Sequence, residues 1–350
     1  MSKKEKIVIS VLFVLLAFAI LFAIYFLCFY KPKLEIEPNK EPNKVFDVSK
    51  LPVKKLTIMD PESKTRPIAV MINNNESAWP NHSGLQDAYL VYEIITEGGI
   101  TRMMALFKDK TTERIGSVRS SRHYFLDYAL ENDAIYVHFG WSPLAKQNIP
   151  ELGINNVNGL YDNAFWRDLS LNVAYEHTAF TSIEGIKQVA QYRGYNLETN
   201  RETLLNYSVK KLKLNEQEGA IIANNISIPY SYGHATSYIY DHENKLYKRY
   251  INGYEHKDAP TDTQYTAKNI ITYQVGNYSI DSYGRQDINN LGSGTGYYIS
   301  EGYAIPITWS KDTRSSQTIY RTLNGEELVV NDGNTYIQIQ PATEILSITE

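Results

Sequence analysis

The chain has 350 residues, 43% of them hydrophobic, enough for two domains with cores of their own. Its formal net charge of −4 supplies no global basic field, which argues against nucleic acid as a partner. A single cysteine, Cys28, excludes an intrachain disulfide, and the 28 tyrosines suit a β-rich fold with solvent-facing strands.

Residues 7–30 are apolar and uncharged. As a helix the run is roughly 36 Å long, enough to cross a bilayer with some tilt. Lys3, Lys4 and Lys6 precede it, so the positive-inside rule keeps the N-terminus in the cytoplasm and sends the bulk of the chain out. The expectation is a single-pass cell-membrane protein: stub and transmembrane helix over 1–30, remainder extracytoplasmic. A cleaved signal peptide is the rival, disfavoured by the long run without an A-x-A-like ending. Lipidation of Cys28 is disfavoured by Leu27, where a bacterial lipoprotein signal wants a small residue. Residues 31–64, with Pro32, Pro38, Pro42, Pro52 and Pro61 among Glu, Lys and Asn, read as an extended tether.

Residues 65–206 alternate strand and helix patterns, which predicts an α/β domain with a mixed sheet. Short bounded apolar runs at 68–72, 88–95, 100–107 and 135–139 read as buried strands. Ser120 and Ser121 are candidate N-caps for a helix with Phe125, Leu126, Ala129 and Leu130 at helical spacing. Ser142-Pro143 opens a second helix. Ser182 opens a third, with Ile183, Ile186, Val189 and Ala190 as its buried stripe and Gly194 as its stop. Residues 207–227 read as a connector. From 228 to 345 the period becomes two, with turns at Asn252-Gly253, Glu301-Gly302, Asn324-Gly325 and Asp332-Gly333. This half reads as a mostly antiparallel β domain, separately folded, and the whole as α+β. Gly292-Ser293-Gly294-Thr295-Gly296 lies between strands without a following Lys, and reads as a loop rather than a phosphate cradle.

Several stretches together carry a resemblance. They are Arg66-Pro67-Ile68-Ala69-Val70-Met71-Ile72-Asn73-Asn74, Val91-Tyr92-Glu93, Glu97-Gly98-Gly99-Ile100-Thr101-Arg102, Ile115-Gly116-Ser117-Val118-Arg119-Ser120-Ser121-Arg122, Phe165-Trp166-Arg167-Asp168 and Gly292-Ser293-Gly294. In these the chain resembles the YerB-like lipoproteins of Gram-positive bacteria, a domain pair of unknown function. The resemblance covers nearly everything after the tether. It implies a surface-exposed, membrane-attached protein of the cell envelope and no established activity. Asn73 stands where such relatives are expected to carry Asp, which weakens any metal site there. A second similarity is to the LytR-CpsA-Psr transferases, which attach anionic polymers to cell wall. Asp87 and Arg119 match that pattern, while Ser120 stands in place of an acid.

Ionisable groups crowd the predicted strands. Arg119-Ser120-Ser121-Arg122 falls at a strand–helix junction, where free N–H groups, hydroxyls and planar guanidinium forks suit phosphate or carboxylate. Arg102 heads another strand and is the expected third member. The competing reading pairs these arginines with Glu93, Glu97 or Asp127 in a structural network. A metal would need His123, Asp127, Asp133, His138 and His177 to converge, but no two of them stand at a recognised ligand spacing. Neither a metal nor a cofactor is expected. The functional expectation is a binding protein for an anionic cell-wall polymer or lipid, or for an envelope protein, with Arg102, Arg119, Ser120, Ser121, Arg122 and Asp87 as ligand residues. Glu93, Glu97, His123, Asp127, Asp133, His138, Arg167 and His177 are further candidates. The alternative is an envelope transferase or hydrolase acting on a phosphorylated polymer or lipid precursor.

Overall fold

The computed structural model describes residues 3–4 and 55–350. The expected membrane segment and most of the tether lie outside the described residues. Among the described residues no helix is long and apolar enough to cross a membrane. The tether was expected to pack poorly as far as residue 64. Its end instead docks: Met59 is buried, and the backbone N–H groups of Thr57 and Ile58 donate to the Asp332 carboxylate.

The first half contributes β1 (Ile68–Asn73), β2 (Leu90–Ile95), β3 (Thr101–Phe107), β4 (Ile115–Gly116), β5 (Ile135–His138), β6 (Asn156–Asn158), β7 (Phe165–Arg167) and β8 (Ala179–Thr181), with α1 (Phe125–Glu131), α2 (Pro143–Glu151) and α3 (Ile183–Tyr192). The second contributes β9 (Asn225–Ser231), β10 (His234–Asp241), β11 (Leu246–Ile251), β12 (Asn269–Val275), β13 (Gly292–Ser300), β14 (Tyr303–Lys311) and β15 (Thr335–Pro341). The result is a strand-rich α+β fold, as expected.

One eleven-stranded sheet runs through both halves, in the order Ile221–Ile222, β14, β13, β12, β15, β2, β3, β1, β5, β6, with Ile319–Thr322 also on β14. The halves join where β15 pairs in parallel with β2, from Leu90↔Thr335 to Ile94↔Ile339, and with β12 on its other side. Two separately folded units were expected; Lys54–Glu350 is one compact unit. The change of period near residue 228 is real, but it marks a change of layer. A six-stranded antiparallel sheet built on β9, β10 and β11 covers one face of the β2–β15 seam. There the Tyr230 hydroxyl bonds the Gln338 side chain at 2.8 Å, and the Tyr238 and Tyr336 rings lie 6.0 Å apart.

Every residue of β1, β2 and β3 is buried, because both faces of the sheet are covered. Alternation then sends neighbours to opposite layers. Tyr92 faces α1 and donates to Glu131 at 2.5 Å, while Glu93 faces the second half and accepts from Arg249 at 2.7 Å. Tyr92, Tyr128, Tyr238, Tyr298 and Tyr336 are fully buried, so much of the tyrosine complement builds core rather than the expected solvent-facing strands.

Two of the three predicted caps are present. Ser142 accepts from Ala145 N–H and Ser182 from Gly185 N–H. Ser120 and Ser121 do not cap α1, whose N-terminal flank is Tyr124 with no side-chain cap. Residues 117–121 are extended and wedge between the ends of β1 and β5: Arg119 N–H donates to Met71 C=O, and Phe139 N–H to Arg119 C=O. The glycine-rich stretch is also no loop. It lies inside β13, where a Cβ on Gly294 would sit 2.8 Å from Trp309 Nε1 and one on Gly296 2.3 Å from the Thr272 carbonyl. These glycines let two neighbouring chains approach closely.

Candidate anion-binding site

β1, β5 and β6 run parallel, so their C-terminal ends share one edge of the sheet, with the start of antiparallel β3 beside them. Loops at that edge hold the arginines, in the place where open α/β sheets commonly bind ligands.

Arg102 and Arg122 converge on Glu97, in the turn between β2 and β3. Arg122 engages both carboxylate oxygens, with Nε 2.8 Å from Oε2, and Arg102 Nη2 is 2.9 Å from Oε1. Each also donates to a carbonyl, Arg102 to Ser120 at 2.6 Å and Arg122 to Ser121 at 2.8 Å. Burial works against the Glu97 charge, but the Arg122 hydrogen bonds and the two cations outweigh it and the carboxyl falls to about 2. Burial, with Arg122 alongside, lowers Arg102 to about 9. Both arginines are buried and committed within the protein, as the ion-pair reading anticipated.

Arg119 is different. Its side chain is 25% exposed and pairs at 2.9 Å with Glu176, whose own side chain is 56% exposed. Arg167 lies over the rings of Phe139 (4.3 Å) and Tyr175 (4.1 Å) and donates to the Tyr175 carbonyl. Among the described residues no carboxylate pairs with it. Arg119 also reaches the Glu176 carbonyl at 3.3 Å, so both arginines clasp the single 3₁₀ turn Tyr175–His177. His177 completes the corner: its Nδ1 is 2.6 Å from Asn73 Nδ2, and burial, then Arg119, lower its pKa. Tyr161, Trp166, Leu169 and Tyr175 are exposed in the neighbouring loops.

The other candidates are dispersed. Ser120 donates to the Phe139 carbonyl, and Ser121 accepts from Tyr136. Asp87 accepts from Thr112 and makes no ion pair with Arg119. His123 meets Asp287, Asp127 meets Arg314, and Asp133 meets Arg66. His138 is spent on the Gly140 carbonyl and Asn156, and burial lowers its pKa to about 4. Among the described residues no three His, Cys, Asp or Glu side chains gather as a metal would require.

Glu93 is the centre of a separate buried chain. Besides Arg249 it accepts from Thr101, Asn74 and Thr236. Burial opposes its charge, yet Arg249 holds the carboxyl well below the usual range. Arg249 also donates to His256 Nδ1. That leaves His256 Nε2 to donate to His82 Nδ1 at 2.6 Å, and His82 Nε2 to donate to the Asn73 carbonyl at 2.5 Å. Burial keeps both imidazoles neutral, with His82 lowered to about 3. Sequence reading missed Glu176, the pairing of Asn73 with His177 and, apart from Glu93, this chain. Arg119, Arg167 and His177 were named from the sequence; nothing local places Asn73 against a histidine 104 residues away.

Residues 56–196 and 226–337 match the N-terminal and C-terminal domains of a family described as a protein of unknown function, DUF3048. The chain belongs to that family. It is 32% identical over 307 residues to the Bacillus subtilis (strain 168) protein named "Putative lipoprotein YerB", covering 86% of this chain and 89% of the relative. The crystal structure of the Bacillus subtilis YerB protein superposes with a TM-score of 0.71 at 30% identity, covering 82% of this chain and 94% of that one.

Proposed function

We propose that this protein is held at the outer face of the cell membrane by its N-terminal apolar segment and binds a phosphorylated envelope glycan or lipid through Arg119 and Arg167. The carrying observation is Arg167, packed between two aromatic rings without a carboxylate among the described residues, beside an arginine whose partner is largely solvated. Four arginines share this edge with the carboxylates of Glu97 and Glu176, and Glu97 is already used twice. An oxyanion relieves that imbalance, and a guanidinium fork is the group shaped to hold it. The exposed Tyr161, Trp166 and Tyr175 offer flat surface for a sugar ring or an isoprenoid chain. The relative's name as a lipoprotein agrees with membrane attachment, by a lipid in that protein and by the 7–30 segment here.

Titration calorimetry of the full chain in detergent tests this, with a poly(glycerol phosphate) in one arm and a polyprenyl phosphate in the other. Binding by the parent that falls tenfold or more in Arg167→Gln, with melting temperature retained, supports the reading. No heat with either probe refutes it. Protease added to intact cells should remove everything beyond the membrane segment; full protection refutes the topology.

A further inference from the structure

We propose that the Glu176 carboxylate is a built-in placeholder for the ligand's oxyanion, and that His177 is a second, neutral donor to the same position. This rests on the anion reading of Arg119 and Arg167 and says how that site is filled when empty of ligand. The Glu176 Oε1 atom lies 2.9 Å from Arg119 Nη2 and 4.0 Å from His177 Nε2. One carboxylate oxygen thus occupies the point that both side chains face.

The proton on His177 follows from its neighbour. Asn75 N–H donates to Asn73 Oδ1 at 3.2 Å, which fixes the orientation of the Asn73 amide. Its Nδ2 must therefore donate to His177 Nδ1, and the imidazole carries its hydrogen on Nε2. A second proton would set N–H against N–H at Nδ1. His177 is thus held as a neutral donor. Its side chain is 8% exposed, and Nε2 has no hydrogen-bond partner among the described residues. An N–H without a partner among the described residues favours any acceptor that moves closer than Glu176 does.

Glu176 can leave. Its side chain is more than half solvated, and the turn around it is closed by backbone bonds, His177 N–H to Ala174 C=O and Thr178 N–H to Tyr175 C=O. Swinging the carboxylate out breaks neither. The placeholder also selects. A lone carboxylate replaces Glu176 without gain, whereas a phosphate ester presents several oxygens to the Arg119 fork, the Arg167 fork and His177 together. The ligand class is accordingly a phosphoester or pyrophosphate.

The test uses the full chain in detergent, with inorganic pyrophosphate as probe. Glu176→Gln keeps a hydrogen-bonding group against Arg119 but removes the competing charge, and should tighten binding about five- to tenfold. His177→Phe should weaken it about tenfold, with His177→Gln, which restores an N–H, recovering part of the loss. Nitrogen-15 NMR of the unliganded protein should find His177 protonated on Nε2 and bare on Nδ1, with the Nε2–H resonance moving on pyrophosphate addition. If Arg119→Lys and Arg167→Gln weaken binding while Glu176→Gln leaves it unchanged, the placeholder fails and the anion site stands. A proton on Nδ1 overturns the role of His177. If neither the parent nor Glu176→Gln binds pyrophosphate, poly(glycerol phosphate) or polyprenyl phosphate, both this inference and the anion reading fall.

Discussion

Two arginine clusters sit at one edge of the main sheet and behave oppositely. At Glu97, two buried guanidinium groups share one carboxylate and each also donates to a backbone carbonyl. At Glu176, partly exposed Arg119 meets a solvated carboxylate while Arg167 beside it lies over two aromatic faces. The residues have the same chemistry, and Arg119 and Arg122 stand on the same short stretch of sequence. What separates structure from binding is burial: a charge enclosed together with its counter-charge has no open face left for a ligand.

Breaking the buried cluster should give the largest effect. Glu97→Gln leaves two buried cations without a counter-charge and should cost about 3–5 kcal/mol in denaturant unfolding. Acid should have an effect of similar size over about two pH units, acting on the buried chain behind the site. His82 and His256 are neutral when folded but take up protons near pH 6.5 when unfolded. The unfolded chain therefore binds more protons below that pH. Their contribution is complete above pH 6.5 and is lost as pH falls toward 3, where folded His82 itself titrates. The slope is about 1.4 kcal/mol per pH unit for each imidazole. Denaturant midpoints between pH 7 and 4.5 measure it, and a flat profile would contradict neutral imidazoles. Arg122→Lys keeps the charge but loses the two-pronged contact to Glu97, and should cost about 1–3 kcal/mol in thermal melting. Arg119→Lys makes the comparison sharpest. Its ion pair is solvated, so stability should change by about 1 kcal/mol or less, while phosphate-polymer binding falls. An Arg119→Lys variant that melts like Arg122→Lys would merge the two clusters into one structural network.

Much of the frame was legible. The runs in β1, β2 and β3 are apolar at nearly every position because both sheet faces are covered, and such runs announce themselves. Ser142 and Ser182 were readable as caps because each stands directly before a helical pattern. Ser120 and Ser121 stood before one as well, yet their backbone is claimed by β1 and β5, and that competition is invisible locally. The glycines of β13 looked like a loop because the reason for them, Trp309 and the Thr272 carbonyl, lies in neighbouring strands. In the candidate site, arginine content pointed to this edge of the sheet but not to which arginine lacks a carboxylate among the described residues. That depends on pairings such as Arg249 with Glu93, 156 residues apart, which no spacing rule reaches. The divided period suggested two bodies because a change of layer and a change of domain leave the same mark in sequence.

The position of β15 has a consequence for how the molecule comes into being. This strand supplies residues 335–341 to the middle of the sheet, hydrogen-bonded on one side to β2 and on the other to β12. Until β15 arrives, β2 has an open flank, and the contacts that close it span some 245 residues of chain, as in Leu90↔Thr335. Pairings of such long range form late and leave a sticky edge while they wait. Assembly therefore waits on β15: a chain that stops before residue 335 would lose a central seam rather than a frayed end, and the middle of the sheet closes only once that strand is present.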